Sequence, residues 1–385
     1  MITVIGTGAG ADAGSWAGEP ALVVDVRGDE LTGSELDLVE KHVAEGGTRV
    51  VVRAQGDPGF FGIVRTLEER FGSAALEVRP GPTAVGLAFA RLGLPWDDTV
   101  VVEGSELDRA VNVCRAHPKV AVLPGPGVGP AELGAELVHR VGSRTLVVFS
   151  ALGDPFRERF ERVEPAEAMC RSWDGVSLVL CVDESRLEGP APAVTGPLTG
   201  PGRWALPDGE FGAADGSVLP YEARALALAR LGPRAGDLVW DIGTGCGAVA
   251  IECARLGAAA VAVEKTASGV ERIRANTAAH GVEVRAVHGA APTVLSHLAD
   301  PDGVFIGGGG SELKSIVLTA GRRARRAVVV AVTALEQVSP VRSALESCGF
   351  AAEGVLLQSQ RLLTLPDGSA TMAPAAPVFL VWGTR

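Results

Sequence analysis

Apolar positions fall in short uncharged runs of strand length, each followed by a glycine or proline turn and then by a stretch with helical spacing. In the first half, residues 2–5, 49–53, 76–78, 99–103, 120–123, 145–149 and 176–182 read as strands, and 63–71, 84–93, 107–115 and 131–141 as helices. In the second half, strands are predicted over 238–242, 260–263, 284–287 and 304–306. A run rich in proline and glycine, from Glu184 to Arg203, has no apolar periodicity and reads as a linker. The alternation βαβα predicts an α/β protein of two units, 1–188 and 204–385, joined by 189–203. Such a linker carries few buried contacts, so the two units are expected to separate as soluble fragments.

The sharpest local pattern is residues 237–265, DLVWDIGTGCGAVAIECARLGAAAVAVEK: strand, glycine loop, helix, second strand. A dinucleotide loop reads G-x-G-x-x-G, because it wraps a pyrophosphate at a helix N-terminus. Here Asp241 precedes Gly243, Gly245 and Gly247, with Thr244 and Cys246 between them. A carboxylate in that place repels phosphate and suits a ligand with a cationic amino-acid tail. Glu264 ends the next strand, about 20 residues on, where such folds place a carboxylate for ribose hydroxyls. A nucleotide-dependent oxidoreductase is the alternative, and a turn that binds nothing is the plainest one. Asp241→Ala is expected to remove ligand binding and leave the fold intact.

Composition narrows the classes. Of 385 residues, 47% are hydrophobic but only 5% aromatic, so the cores are aliphatic, as in buried parallel sheets. A net charge of −11 argues against nucleic acid and anionic membranes as partners. The six cysteines show no C-x-x-C pair, which predicts no metal site and a reducing, cytoplasmic setting. No apolar run is long enough for a membrane helix.

Read together, the halves resemble one enzyme family. The G-x-G loop at Gly6 and Gly8, the G-D-P-x-F-x-G segment at Gly56, Asp57 and Pro58, the turn Pro80-Gly81-Pro82-Thr83, and LAFARLGLPWDD at 87–98 resemble the cobalamin-type tetrapyrrole methyltransferases. The segments LPDGEF at 206–211, EARALAL at 222–228, D-I-G-T-G-C-G and VFIGGG at 304–309 are similar to decarboxylating precorrin methyltransferases, whose second unit is a class I Rossmann-like domain. Their fusion in this order resembles the precorrin-6Y methylase family. The resemblance implies S-adenosylmethionine as methyl donor, methylation of a precorrin at carbons 5 and 15, and loss of an acetate carboxyl as carbon dioxide. It implies a small tetrapyrrole as partner; a homo-oligomer is also expected.

The implied donor contacts are Asp241, Gly243, Thr244, Gly245, Cys246, Gly247, Glu264, Ala290 and Ala291 in the second half. In the first they are Gly8, Gly56, Asp57, Pro58, Gly81 and Thr83. Glu222, Arg224 and Thr333 are the catalytic candidates, with Arg203, Arg224 and Arg361 as forks for substrate carboxylates. The chain also departs from the family. It has Ala290-Ala291 where Asp-Ala is usual, and Glu103-Gly104-Ser105 where a Ser-Leu-His-Gly-Arg segment is usual. Carbon-5 methylation is therefore expected to be the weaker activity.

Overall fold

The computed structural model describes residues 1–7, 22–26, 31–60, 62–138, 144–187, 201, 203–212 and 218–385. The expected linker 189–203 lies outside them except for Pro201 and Arg203, as does Gly8.

The first half builds two sheets. β1 (Ile2–Thr7), β2 (Leu22–Asp25), α1 (Gly33–Ala44), β3 (Val50–Gln55), α2 (Ile63–Phe71), β4 (Leu76–Arg79) and α3 (Ala84–Leu92) come first. Their strands form a parallel sheet in the order β2-β3-β1-β4. Then follow β5 (Val100–Glu103), α4 (Leu107–Ala116), β6 (Lys119–Leu123), α5 (Pro130–Leu137), β7 (Arg144–Ser150), β8 (Arg159–Val163), α6 (Pro165–Ala168) and β9 (Val176–Asp183). This second sheet has the order β5-β6-β9-β7-β8 and is parallel only between β5 and β6. The sheet is thus mixed, within the α/β class expected. β7 and β8 are joined through residues 151–158, and β8, the edge strand, is exposed along its length up to the buried Val163.

The second half runs α7 (Tyr221–Leu231), β10 (Leu238–Ile242), α8 (Ala248–Arg255), β11 (Ala259–Glu264), α9 (Ala267–Ala279), β12 (Val284–His288), β13 (Gly303–Ile306), α10 (Leu313–Arg323), β14 (Ala327–Val332) and α11 (Val338–Ser347). It ends with β15 (Ala351–Leu357), a hairpin of β16 (Gln360–Thr364) and β17 (Ala370–Pro374), and β18 (Val378–Thr384). The seven-stranded order is β12-β11-β10-β13-β14-β18-β15, with β18 antiparallel to both neighbours. Alternate residues of β10 divide between the faces. Leu238, Trp240 and Ile242 pack with Ile316, Val317 and Leu345, while Val239 packs with Ala227, Leu231 and Val249. Helices therefore cover both sides, and the crevice is left at the carboxyl ends of the strands.

The halves are packed together through residues on either side of the expected linker. Arg144, with a side chain 2% exposed, donates to the carbonyls of Arg115 and His117 and to Glu283. Arg186 donates to the Gly281 carbonyl at 3.2 Å and Asn112 to that of Gly236 at 3.2 Å. Arg325 pairs with Asp108 at 3.0 Å. Burial at this seam pushes the His117 imidazole down to about 4, against the carbonyl of Gly257, which opposes the shift. Among the described residues, no helix is long and apolar enough to cross a membrane.

Candidate functional site

The ends of β10, β11, β12 and β13 surround a cleft of about 390 Å3. Ile242 and Gly243, Val263 to Lys265, Gly289 to Ala291, and Gly308 to Glu312 line it, with Ile316 at its base. Backbone hydrogen bonds lock these loops to each other. The Gly243 N–H donates to Val263 O at 3.0 Å, Gly289 to Glu264 O at 2.9 Å, and Gly307 to Ile242 O at 2.9 Å. Gly243 has φ +68° and meets Gly308 so closely that a Cβ would lie 3.0 Å from the Gly308 backbone. Only glycine meets both demands, so two glycine loops form the wall.

Glu264 is nearly buried at the cleft edge. One carboxylate oxygen accepts from the Gly245 N–H at 3.2 Å, and the other accepts from the Thr266 N–H at 2.9 Å and its hydroxyl at 2.8 Å. The first glycine loop and the start of α9 thus fix its position. Of the candidates in this half, Gly243, Glu264, Ala290 and Ala291 line the cleft. Lys265, Ser311, Glu312 and Ile316 also line it and were not among the predicted contacts. Their signal was positional: each lies at or just beyond a strand's carboxyl end, or on the helix that follows.

Asp241 does not line that cleft. It is 1% exposed, and one oxygen accepts from the Ala250 N–H at 2.9 Å and from the Thr244 hydroxyl. Gly247 is the N-cap of α8 and has no side chain, so Asp241 supplies the acceptor for the helix's third N–H. The expectation that its removal leaves the fold untouched is therefore corrected. Its other oxygen is buried without a hydrogen-bond partner, and burial pushes the carboxyl up to about 6 despite those two donors. Thr244, Gly245, Cys246 and Gly247 stand behind the wall as its scaffold: Cys246 O accepts from Asn276 at 2.9 Å, and Gly247 turns into α8 at φ +87°.

The catalytic candidates part company. Arg224 is fully buried, donates to Leu206 O and Leu219 O, pairs with Asp208 at 3.2 Å and with the equally buried Glu252 at 3.6 Å, and stacks on Phe211. It has no surface for substrate and is a structural residue, which corrects both roles expected of it. Glu222 is half-buried and grips Arg361, which also reaches Asp208 at 2.8 Å and stacks on Tyr221. The Arg361 fork holds the Glu222 carboxyl below its usual value. Arg203 pairs with Glu210 at 2.7 Å at the surface. Thr333 is exposed immediately beyond β14, on the sheet edge that carries the cleft.

In the first half, three strand ends meet. A Cβ on Gly6 would collide with Gly56 O and Gly81 N, so β1, β3 and β4 converge on glycine backbone. Gly56 N–H also donates to Thr7 O at 2.7 Å. Gly104 and Gly125 make a similar junction after β5 and β6, where a Cβ on Gly125 would collide with Gly104 O. Asp57 accepts from the Gly59 N–H at 2.9 Å and closes a turn, Pro58 is buried, and Thr83 caps α3 through the Gly86 N–H at 2.9 Å. These side chains shape the loops around the glycine junction.

Known proteins resemble both halves. Residues 29–168 match the model of the Tetrapyrrole (Corrin/Porphyrin) Methylases, and 210–379 match the Precorrin methyltransferase domain. A Sinorhizobium protein named precorrin-6Y C(5,15)-methyltransferase (decarboxylating) is 36% identical over 301 residues, covering 76% of this chain and 70% of that protein. A Mycobacterium tuberculosis protein of the same name is 35% identical over 265 residues, covering 68% of this chain and 64% of its own length. The solved Geobacter metallireducens precorrin-6Y C5,15-methyltransferase is 27% identical, with a TM-score of 0.45, over 47% of this chain and 97% of that one. The chain belongs to the family of decarboxylating precorrin-6Y C(5,15)-methyltransferases.

Proposed function

We propose that this chain is a C-methyltransferase that uses S-adenosylmethionine to methylate a precorrin at carbons 5 and 15 and releases an acetate carboxyl as carbon dioxide. The single observation that supports it most is the joint match of both halves to tetrapyrrole and precorrin methyltransferase families over most of the chain. The proposed division is 1–188 for the first unit and 204–385 for the second.

The second-half cleft suits the donor. Its volume is that of a small-cofactor site, its wall is glycine backbone, and an unpaired carboxylate oxygen lies buried behind it. Bound, the donor supplies an electrophilic methyl on sulfur. Glu264, Ala290 and Ala291 line the cleft, and the roles proposed for them are to accept from ribose hydroxyls and to border the base. Asp241 and its loop turn negative charge toward the cationic end. The chain's contribution is then to orient and to exclude water, because proximity alone supplies a large part of such a rate. Thr333 and the Glu222–Arg361 fork face the same sheet edge and are proposed to hold the macrocycle's polar rim. In the first half the proposed donor surface is the backbone around Gly6, Gly56 and Gly81, with Gly8 carried over from the family motif.

A second reading, in which only the carbon-15 site works and the first half is a scaffold, has one observation in its favour: Asp57 and Thr83 are committed to a turn and a helix cap. Titration calorimetry separates the two. Two donor molecules bound per chain supports the first, one supports the second, and none overturns both.

A further inference from the structure

The donor cleft and the amino-terminal half occupy opposite ends of the same strands. The cleft lies beyond the carboxyl ends of β10, β11 and β12, at Gly243, Lys265 and Gly289. The contacts with the first half fall just before the amino ends of β10, β11, β12 and β14: Gly236, Gly257, Glu283 with Gly281, and Arg325. A five-residue strand at about 3.3 Å per residue is about 16 Å long. That length is filled by Trp240, Ile242, Val261 and Val304, all buried.

The packing at the seam leaves little room in the gap it encloses. The gap bounded by Arg115, Leu238, Ala259 and Glu283 has a volume of about 20 Å3, room for a water molecule and nothing larger. Arg144 closes the seam by holding two carbonyls of its own half and the Glu283 carboxylate of the other. A swing that opened it would break the Arg144–Glu283 pair and leave Arg144 with only the more distant Asp183 of its own half, at 3.9 Å, which opposes a hinge that would bring the two sites together.

Resting on the proposed function, we infer that the chain has no internal route for its macrocycle: the precorrin methylated in one half passes through solution, or to another copy, before it reaches the other half. The fusion fixes the two units back to edge and does not form a shared chamber.

The test uses the full chain. Asp108→Cys and Arg325→Cys, exposed partners across the seam, are introduced in a Cys170→Ser background and joined by a short bismaleimide. The joined protein receives precorrin, labelled methyl donor, and an excess of unlabelled singly methylated precorrin. The expected result is efficient joining, both methylations at the rate of the unjoined protein, and label in the doubly methylated product diluted in proportion to the added pool. Undiluted label, or loss of only the second methylation on joining, would overturn the inference, and failure to join would overturn the docking it rests on. Absence of any methyl transfer by the unmodified chain would instead overturn the proposed function, and this inference with it.

Discussion

The carboxylate of Asp241 accepts the backbone N–H of Ala250 at 2.9 Å, so the first acidic residue of the glycine motif is tied to the helix that the motif opens. Its alanine variant is expected to lose the cap as well as the carboxylate buried behind the cleft wall. A helix cap contributes about 0.5–2 kcal/mol, so differential scanning calorimetry should show a lower Tm for Asp241→Ala. Asp241→Asn keeps an acceptor for Ala250 and should hold its Tm more closely while still losing donor affinity. An alanine variant with unchanged Tm would show that the contact contributes nothing.

The same residue sets a pH dependence. Burial raises its folded-state carboxyl to about 6, above the ordinary 3.8, so the folded state keeps a proton that the unfolded chain releases. That contribution to stability is complete below about pH 4 and is lost as pH rises through 6. A cationic donor favours the carboxylate, so its binding expels the proton. Affinity at the second-half site should fall as pH drops from 7 to 5, by up to about tenfold per unit below 6. Calorimetry in two buffers of different ionisation enthalpy checks the proton release; an affinity flat across this range would contradict it.

Much of this site is legible in the amino-acid sequence. β10, the glycine loop, β11 and Glu264 stand where periodicity and motif spacing put them, because a short apolar run followed by glycines permits few folds. What escaped was the direction of side chains: Asp241 and Arg224 lie in motifs that resemble binding segments, yet burial turns both inward. Sequence shows a charge, but its partners, Ala250 in one case and Glu252 in the other, come from packing. The elements β15, β16 and β17 were missed because their exposed residues follow no clean alternation. The helix α1 was missed although Thr32 and Glu35 form a capping box readable as Thr-x-x-Glu.

Arg224→Met should be a folding variant and not a chemical one. It leaves the buried Glu252 to the Arg255 guanidinium, at 3.3 Å, and strips Leu206, Leu219 and Asp208 of their shared donor; removing one partner of a buried pair costs up to about 3–5 kcal/mol. The expected outcome is a large drop in the denaturant midpoint with donor affinity per folded molecule retained. A stable variant without activity would return Arg224 to the site.

Glu264→Ala removes a carboxylate at the cleft edge. Hydrogen bonds to charged groups contribute about 1.5–3 kcal/mol, so donor affinity at the second-half site should fall by at least tenfold. Because Gly245 and Thr266 also rely on it, Glu264→Gln is the companion that keeps the shape. Undiminished donor binding by both variants in calorimetry would remove Glu264 from the donor site.

The two halves should work at unequal rates. The second has a cleft walled by two glycine loops, whereas in the first Asp57 and Thr83 are committed to a turn and a helix cap. Methyl transfer coupled to decarboxylation should outrun the other transfer in a time course resolved by mass. A first-half reaction as fast as the second would show that residues 103–107 contact substrate.

The decisive measurement is incubation of the intact chain with precorrin and methyl-labelled S-adenosylmethionine, counting methyl groups in the product and carbon dioxide released. One methyl gained for each carbon dioxide lost, followed by a second, slower methyl, is the expected result. A precorrin recovered unchanged, with no label and no carbon dioxide, would contradict the proposed function.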